Sequence, residues 1–137
     1  MNKLTSFTVD DRPVPVVFVE TMDVKEGVVC DVYKFEGDDT RDLAIVTVHK
    51  GCKTPLQRVV AGKETREGFV SGQGVLTVWS AEGVAAEHRF GSDTKAGSVV
   101  VSVNERMQWH ADGETDLVFS EVCTPPYEDG RFENITD

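Results

Sequence analysis

The sequence predicts an all-β protein, a sandwich or a closed barrel, on three observations. Short β-branched runs recur along its 137 residues, clusters of Gly, Asp or Pro separate them, and almost no stretch carries apolar residues at helical spacing. Strands this short and this evenly spaced bury a common core only when sheets face one another or close on themselves.

The elements follow in order. VPVVFVE at 14–20 reads as the first strand, with Pro13 and Pro15 limiting its ladder and giving it edge character. Runs at 28–35 and 43–49 alternate apolar and polar residues across the Gly37–Thr40 turn. Shorter strands are expected at 56–60 and 67–70, then GVLTVWS at 74–80 and AEHRF within 85–90. SVVVSV at 98–103, MQWH at 107–110 and LVFSEVC at 117–123 complete the set. Turn residues punctuate the chain at 51–55, 61–65, 71–74, 82–83, 91–97 and 112–116.

The length suits one domain over 1–137 that buries a single core without staples. Within it, 28–123 is expected to be the core barrel, 1–27 an N-terminal strand arm and 124–137 an acidic tail whose Phe132 and Ile135 favour docking. With 39% apolar and 28% charged residues, the composition is that of a globular chain rather than a disordered or membrane one. Its apolar runs are too short to span a bilayer. The formal charge of −10 sets a field that repels nucleic acid and anionic lipid, so neither is expected as a partner. MNKLTSFTVDDR lacks the apolar segment of a secretion signal, which predicts a cytoplasmic location. Cys30, Cys52 and Cys123 match no zinc or disulfide spacing and read as free thiols.

Two blocks carry a family resemblance. In the first, Gly51 is followed six residues later by Gln57, then Val59, and the block ends in FVSGQGVLTV, where Gly72 and Gly74 supply turn conformations that a side chain would penalise. In the second, Gly97 opens GSVVVSVNERMQWH, a turn follows, and LVFSEV returns as a strand. In this order, from Leu43 to Cys123, the chain resembles the cupin superfamily of double-stranded β-helix jelly rolls. TPLQ at 54–57 with YEDGRFENI at 127–135 is similar to the mannose-6-phosphate isomerase-type cupins.

The resemblance implies a cupin-type jelly-roll barrel with a polar pocket, but most of its metal ligands are altered. Cupins commonly hold a divalent metal with two histidines and a glutamate from the first block and one histidine from the second. Here the paired positions fall on Gln57 and Val59, and the second-block position on Gln108. The glutamate position falls on Thr65 or on Glu67, depending on which glycine it is counted from. No cofactor is therefore expected; a weak divalent metal, if any, would use Gln57, Glu67 and His110.

Strand alternation groups Gln57 with Val59, Gln108 with His110, and Phe119 with Glu121 and Cys123. If those faces turn inward, the pocket gathers two carboxamides, an imidazole, a carboxylate and a thiol. His110 then reads as a general base or lone metal ligand, or else as a histidine capping a strand end. Glu121, between apolar neighbours, needs a partner or a raised pKa, and could be acid, base or ligand, or pair with Arg106. Glu67 divides between a functional role and a solvated hairpin face. Tyr127 is expected either to close over the mouth or to anchor the tail.

The candidate catalytic residues are therefore His110, Glu121 and Glu67, with Gln57, Gln108, Tyr127 and Arg106 as ligand-binding candidates. The leading expectation is a small-molecule-binding cupin, of the metal-independent or weak-metal isomerase or epimerase kind, acting on a sugar, sugar phosphate or small polar acid. The alternatives are a non-enzymatic sensor that has lost its metal site and a metal-dependent dioxygenase with rearranged ligands. Small cupins commonly pair through their first strands, so a homodimer is expected.

Overall fold

A computed structural model of the chain describes residues 3–91 and 97–136. Twelve strands alternate along it: β1 Ser6–Val9, β2 Arg12–Lys25, β3 Val28–Phe35, β4 Asp38–Val48, β5 Gln57–Val59, β6 Glu64–Ser71, β7 Gly74–Trp79, β8 Ala85–Phe90, β9 Ser98–Val101, β10 Arg106–His110, β11 Leu117–Thr124 and β12 Phe132–Asn134. They form a seven-stranded sheet, β1-β2-β3-β4-β11-β6-β9, and a five-stranded sheet, β12-β5-β10-β7-β8. Every strand pairing is antiparallel.

The all-β expectation holds, and β3 and β8 span the expected residues. Two elements were not foreseen, β1 and β12, each too short to show periodicity. β2 runs on to Lys25, beyond the expected end at Glu20, because Thr21 to Lys25 keep pairing with β3. β4 begins at Asp38, inside the expected turn. The turn expected at 91–97 falls largely outside the described residues.

Alternation gives the seven-stranded sheet two apolar faces. Its inner face meets the five-stranded sheet over a core built on Val28, Val46, Val48, Leu117, Phe119 and Val101 on one side and Val59, Leu76, Val78, Phe90, Met107 and Trp109 on the other. Its outer face carries a second cluster, Val16, Tyr33, Phe35, Leu43 and Val122, covered by β1 through Phe7 and Val9. β2 extends past the facing sheet and leaves Val17, Val19 and Met22 between 43% and 52% exposed.

Aromatic rings fill the middle of the barrel. Trp109 stacks on Phe119 with centroids 4.5 Å apart, Phe90 lies 5.7 Å from Trp109, and Phe69 stacks on Phe90 at 5.3 Å. Burying such rings stabilises the fold by about 2–3 kcal/mol each, with more from the stacked geometry.

Candidate functional site

The inner face of the seven-stranded sheet descends in rungs from the mouth formed by the β3–β4 hairpin and the tail. The uppermost rung runs Lys34, Asp42, Cys123, Thr65 and Val101 across β3, β4, β11, β6 and β9. Below it lie Val32, Ala44, Glu121, Glu67 and Val99, and below those Cys30, Val46, Phe119 and Phe69. Polar groups thus sit near the mouth and aromatic rings deeper in.

Glu67 and Glu121 are direct cross-strand neighbours in this face. Glu67 is buried to 1% exposure and accepts a 2.9 Å hydrogen bond from Trp109 Nε1 at Oε1, whereas its Oε2 has no hydrogen-bond partner among the described residues. Glu121 is only partly buried and accepts from the Cys123 thiol at 3.6 Å. Burial pushes the Glu67 carboxyl well above its ordinary range; the charge and hydrogen bond of Glu121 push the same way, and the Trp109 N–H opposes. Burial also raises Glu121, against its hydrogen bonds from Glu67 and Cys123 and the charge of Arg131. The two are one coupled site in which burial pushes both carboxyls toward the protonated form, Glu67 the further.

The thiols beside this pair are poor nucleophiles. Burial and the Glu121 charge raise Cys30 to about 12 and Cys123 further still.

Arg131 ties the tail across the mouth. It is 3% exposed, and its guanidinium donates to the carbonyls of Glu64, Thr124 and Pro125 and to Thr65 Oγ1. Gly62, at φ +109°, leaves the space that the guanidinium occupies. Downstream, β12 pairs with β5, with Phe132 facing Val59, so the tail docks as Phe132 favoured. The sequence marked Arg131 only as part of the Arg-bearing tail YEDGRFENI, through its resemblance to the mannose-6-phosphate isomerase-type cupins, and gave no sign of these buried acceptors.

Between this tail and the β3–β4 hairpin lies a cleft of about 690 Å³, with Val32, Lys34, Phe35, Asp42, Pro126 and Tyr127 in its walls. The Tyr127 backbone N–H donates to Asp42 Oδ2 at 3.0 Å, and burial raises the Asp42 carboxyl against that bond and the Arg131 charge. Asp38 and Arg41 also line the cleft, joined by a 3.0 Å ion pair, with Arg41 over the Phe35 ring.

The expected site residues separate into two groups. Glu67 and Glu121 come together, and the solvated reading of Glu67 is corrected by its burial. Gln57 lies on the inner face opposite Met107 at the sheet margin, donating to Asn134 Oδ1 at 2.9 Å. Tyr127 lines the cleft, 46% exposed, and its ring packs near Phe132. Gln108 and His110, by contrast, point away from the barrel. Met107 and Trp109 take the inward positions of β10, because only apolar side chains fit the core there. Gln108 instead donates to the Thr54 carbonyl at 2.9 Å. Arg106 shares that outer face, opposite Arg58 and Trp79, and therefore does not pair with Glu121.

No protein-family model matches the sequence, and no curated protein sequence matches it. Solved structures do match in fold. CapF, a capsular polysaccharide assembling protein of Staphylococcus aureus, superposes with a TM-score of 0.66 at 14% identity, over 93% of this chain and 36% of that one. Oxalate decarboxylase of Lactobacillus farciminis, solved as a formate complex, gives 0.69 at 18% identity, over 85% and 33%. The Momordica charantia 7S globulin gives 0.65 at 15%, over 87% and 35%. The chain folds as a cupin.

The chain spans about a third of the length of these cupins. Some cupins of this fold bind metals, oxalate decarboxylase among them. The donors here do not fit that group. Glu67 is held by the Trp109 N–H, His110 lies on the far side of β10, and among the described residues no three His, Cys, Asp or Glu side chains converge to hold a metal ion.

Proposed function

We propose that this cupin binds a small, neutral, polyhydroxylated molecule of the sugar kind in the mouth cleft and works on it without a metal. The carrying observation is the cleft wall, in which the 46% exposed Tyr127 ring lies among the Asp38, Asp39 and Asp42 carboxylates, with Phe35 buried beneath Arg41. Aromatic faces pack against the C–H faces of a sugar, and carboxylates accept from its hydroxyls. Of the two cations in the wall, Arg41 is already engaged by Asp38, which leaves Lys34 against a net charge of −10. That balance favours neutral sugars over the sugar phosphates and small acids also expected from the sequence.

An isomerase or epimerase role requires an acid and a base; the Glu67–Glu121 pair lies one rung below Asp42 and outside the cleft wall, and His110 does not face the cleft. The dioxygenase alternative lacks support from the donor set. A sensor would use the same cleft without the proton chemistry.

Calorimetric titration with neutral hexoses and pentoses, alongside their phosphates, tests the reading. Binding of a neutral sugar that Tyr127→Ala weakens about tenfold supports it, a loss equivalent to roughly 1.4 kcal/mol. A preference for phosphates, or no binding across both sets, overturns it.

A further inference from the structure

We propose that two copies of this chain pair edge to edge through β2, Glu20 of each meeting Lys25 of the other, so that each copy supplies a residue to the rim of the other's mouth cleft. The open edge of β2 carries this. β1 pairs with β2 only over Arg12–Pro15, and the Val16 N–H donates to the Thr5 carbonyl. From Val17 to Lys25 that edge has no strand beside it among the described residues, while the other edge pairs with β3. Pro13 and Pro15, which blunt an edge, lie in the covered part. The open stretch carries Val17, Val19, Met22 and Val24, each between 42% and 52% exposed. An unpaired ladder with apolar side chains is a template for a further strand. The sequence set the edge within 14–20, but most of the open stretch lies beyond it.

The occupant is a second copy because β2 complements itself. The ladder to β3 skips Val24, so Glu20, Met22 and Lys25 share a face with Val32, Cys30 and Val28. With the same skip on the open edge, a two-fold axis at Met22 sets Met22 against Met22, Thr21 against Asp23 and Glu20 against Lys25, the last two twice over. Neither Glu20 nor Lys25 has an ion-pair partner among the described residues, and no like charges oppose in this register. An axis at Asp23 would set Asp23 against itself, and one at Thr21 would leave Lys25 against Val17, so charge selects one register. The bulges at Val19 and Val24 bound the run, which favours a closed pair over open-ended stacking. Val19 lies in the cleft wall, so Lys25 of the second copy arrives at the rim, beside Glu20. Bonded there, it closes the side of the cleft along β2 and adds no net charge. The rim role rests on the cleft being the ligand site; the pairing does not.

Sedimentation equilibrium of the full chain should give twice the chain mass, with more dissociation at high salt as the ion pairs are screened. Met22→Lys, at an exposed site, sets two ammonium groups together on the axis and should give a monomer with an unchanged circular dichroism spectrum. Glu20→Lys opposes two lysines at each pair and should raise the dissociation constant about tenfold. Combining Glu20→Lys with Lys25→Glu should return it to near the wild-type value. Should Met22→Lys fail to fold, the charge exchange decides alone. A monomer at every concentration, a larger assembly, or a dimer indifferent to the charge exchange overturns the proposal. Where a neutral sugar binds, the Met22→Lys monomer should bind it more weakly; equal binding overturns the shared rim. A dimer that obeys the charge exchange in a protein that binds no sugar leaves the pairing standing and places the fault with the ligand class assigned to the cleft.

Discussion

Trp109 Nε1 donates to Glu67 Oε1 at 2.9 Å, among the described residues the one hydrogen bond that joins the aromatic centre of the barrel to its carboxyl pair. Trp109→Phe keeps most of the ring packing and removes the donor, so a buried carboxyl loses its only donated bond. Leaving such an acceptor unsatisfied costs about 1–3 kcal/mol. Urea unfolding of the variant should show a lower midpoint with an unchanged slope, and Trp109→Ala should lose a further cavity term, about 3–5 kcal/mol in total.

The raised carboxyls make stability depend on pH in a defined sense. Glu67, Glu121 and Asp42 all bind protons more tightly folded than unfolded. Between the unfolded value, 4.5 for Glu, and the higher folded value, the native state therefore holds more protons, and stability falls as pH rises. The groups facing this site are Asp42, Cys30, Cys123 and the Arg131 guanidinium, and of these Arg131 alone offsets the growing negative charge. Denaturation midpoints should decline from about pH 4.5 upward, by at most roughly 1.4 kcal/mol per pH unit per group. Glu67→Gln cannot ionise, so it should flatten that decline and be relatively more stable at alkaline pH.

How much of this was legible in the sequence depended on which signal was followed. The strands β3 and β8 followed from periodicity and turn residues, and the cupin fold from the resemblance of the blocks opened by Gly51 and Gly97. The inward face of β10 was also present in the sequence, since Met107 and Trp109 alternate with Arg106, Gln108 and His110. Aligning the second block on the family's metal histidine turned attention to Gln108, one residue out of register, and so to the outer face. Glu67 and Glu121 could each be flagged singly, but their register across β6 and β11 is a tertiary fact. Arg131 was visible only as the arginine of the tail resemblance, because its acceptors lie in two other strands, Glu64 and Thr65 in β6 and Thr124 in β11, and at Pro125 just beyond.

Arg131 should matter through geometry more than through charge. Arg131→Ala leaves several buried carbonyls without donors and should destabilise by about 2–4 kcal/mol. Arg131→Lys restores the charge but not the planar fork, so it should recover only part of that loss. Limited proteolysis provides a second readout, since both variants should expose 124–136 to cleavage faster than the wild type, with alanine the faster.

The thiols should separate by chemistry. Cys30 is raised to about 12 and Cys123 is buried beside Glu121, so neither forms thiolate at pH 8. Ellman's reagent should leave both unmodified in the native protein and modify both after unfolding in guanidinium. Glu121→Gln removes the nearby negative charge and should speed the native reaction of Cys30 without matching the unfolded rate.

Metal loading should separate this chain from the metal-holding members of its fold. Protein supplied with zinc, iron, manganese and nickel, then desalted, should retain well under one equivalent of each by elemental analysis. The reason lies in the donors: Gln57 offers a neutral amide already bonded to Asn134, and burial pushes the Trp109-held Glu67 carboxyl toward its neutral form. His110 lies across the sheet from both, so His110→Ala should change neither the residual metal nor sugar binding. One retained equivalent that is lost in His110→Ala would require β10 to turn its outer face inward, against the burial of Met107 and Trp109 at 3% and 2% exposure. That repacking would expose two large apolar side chains, at about 1.5–3 kcal/mol each, which a lone imidazole ligand does not offset.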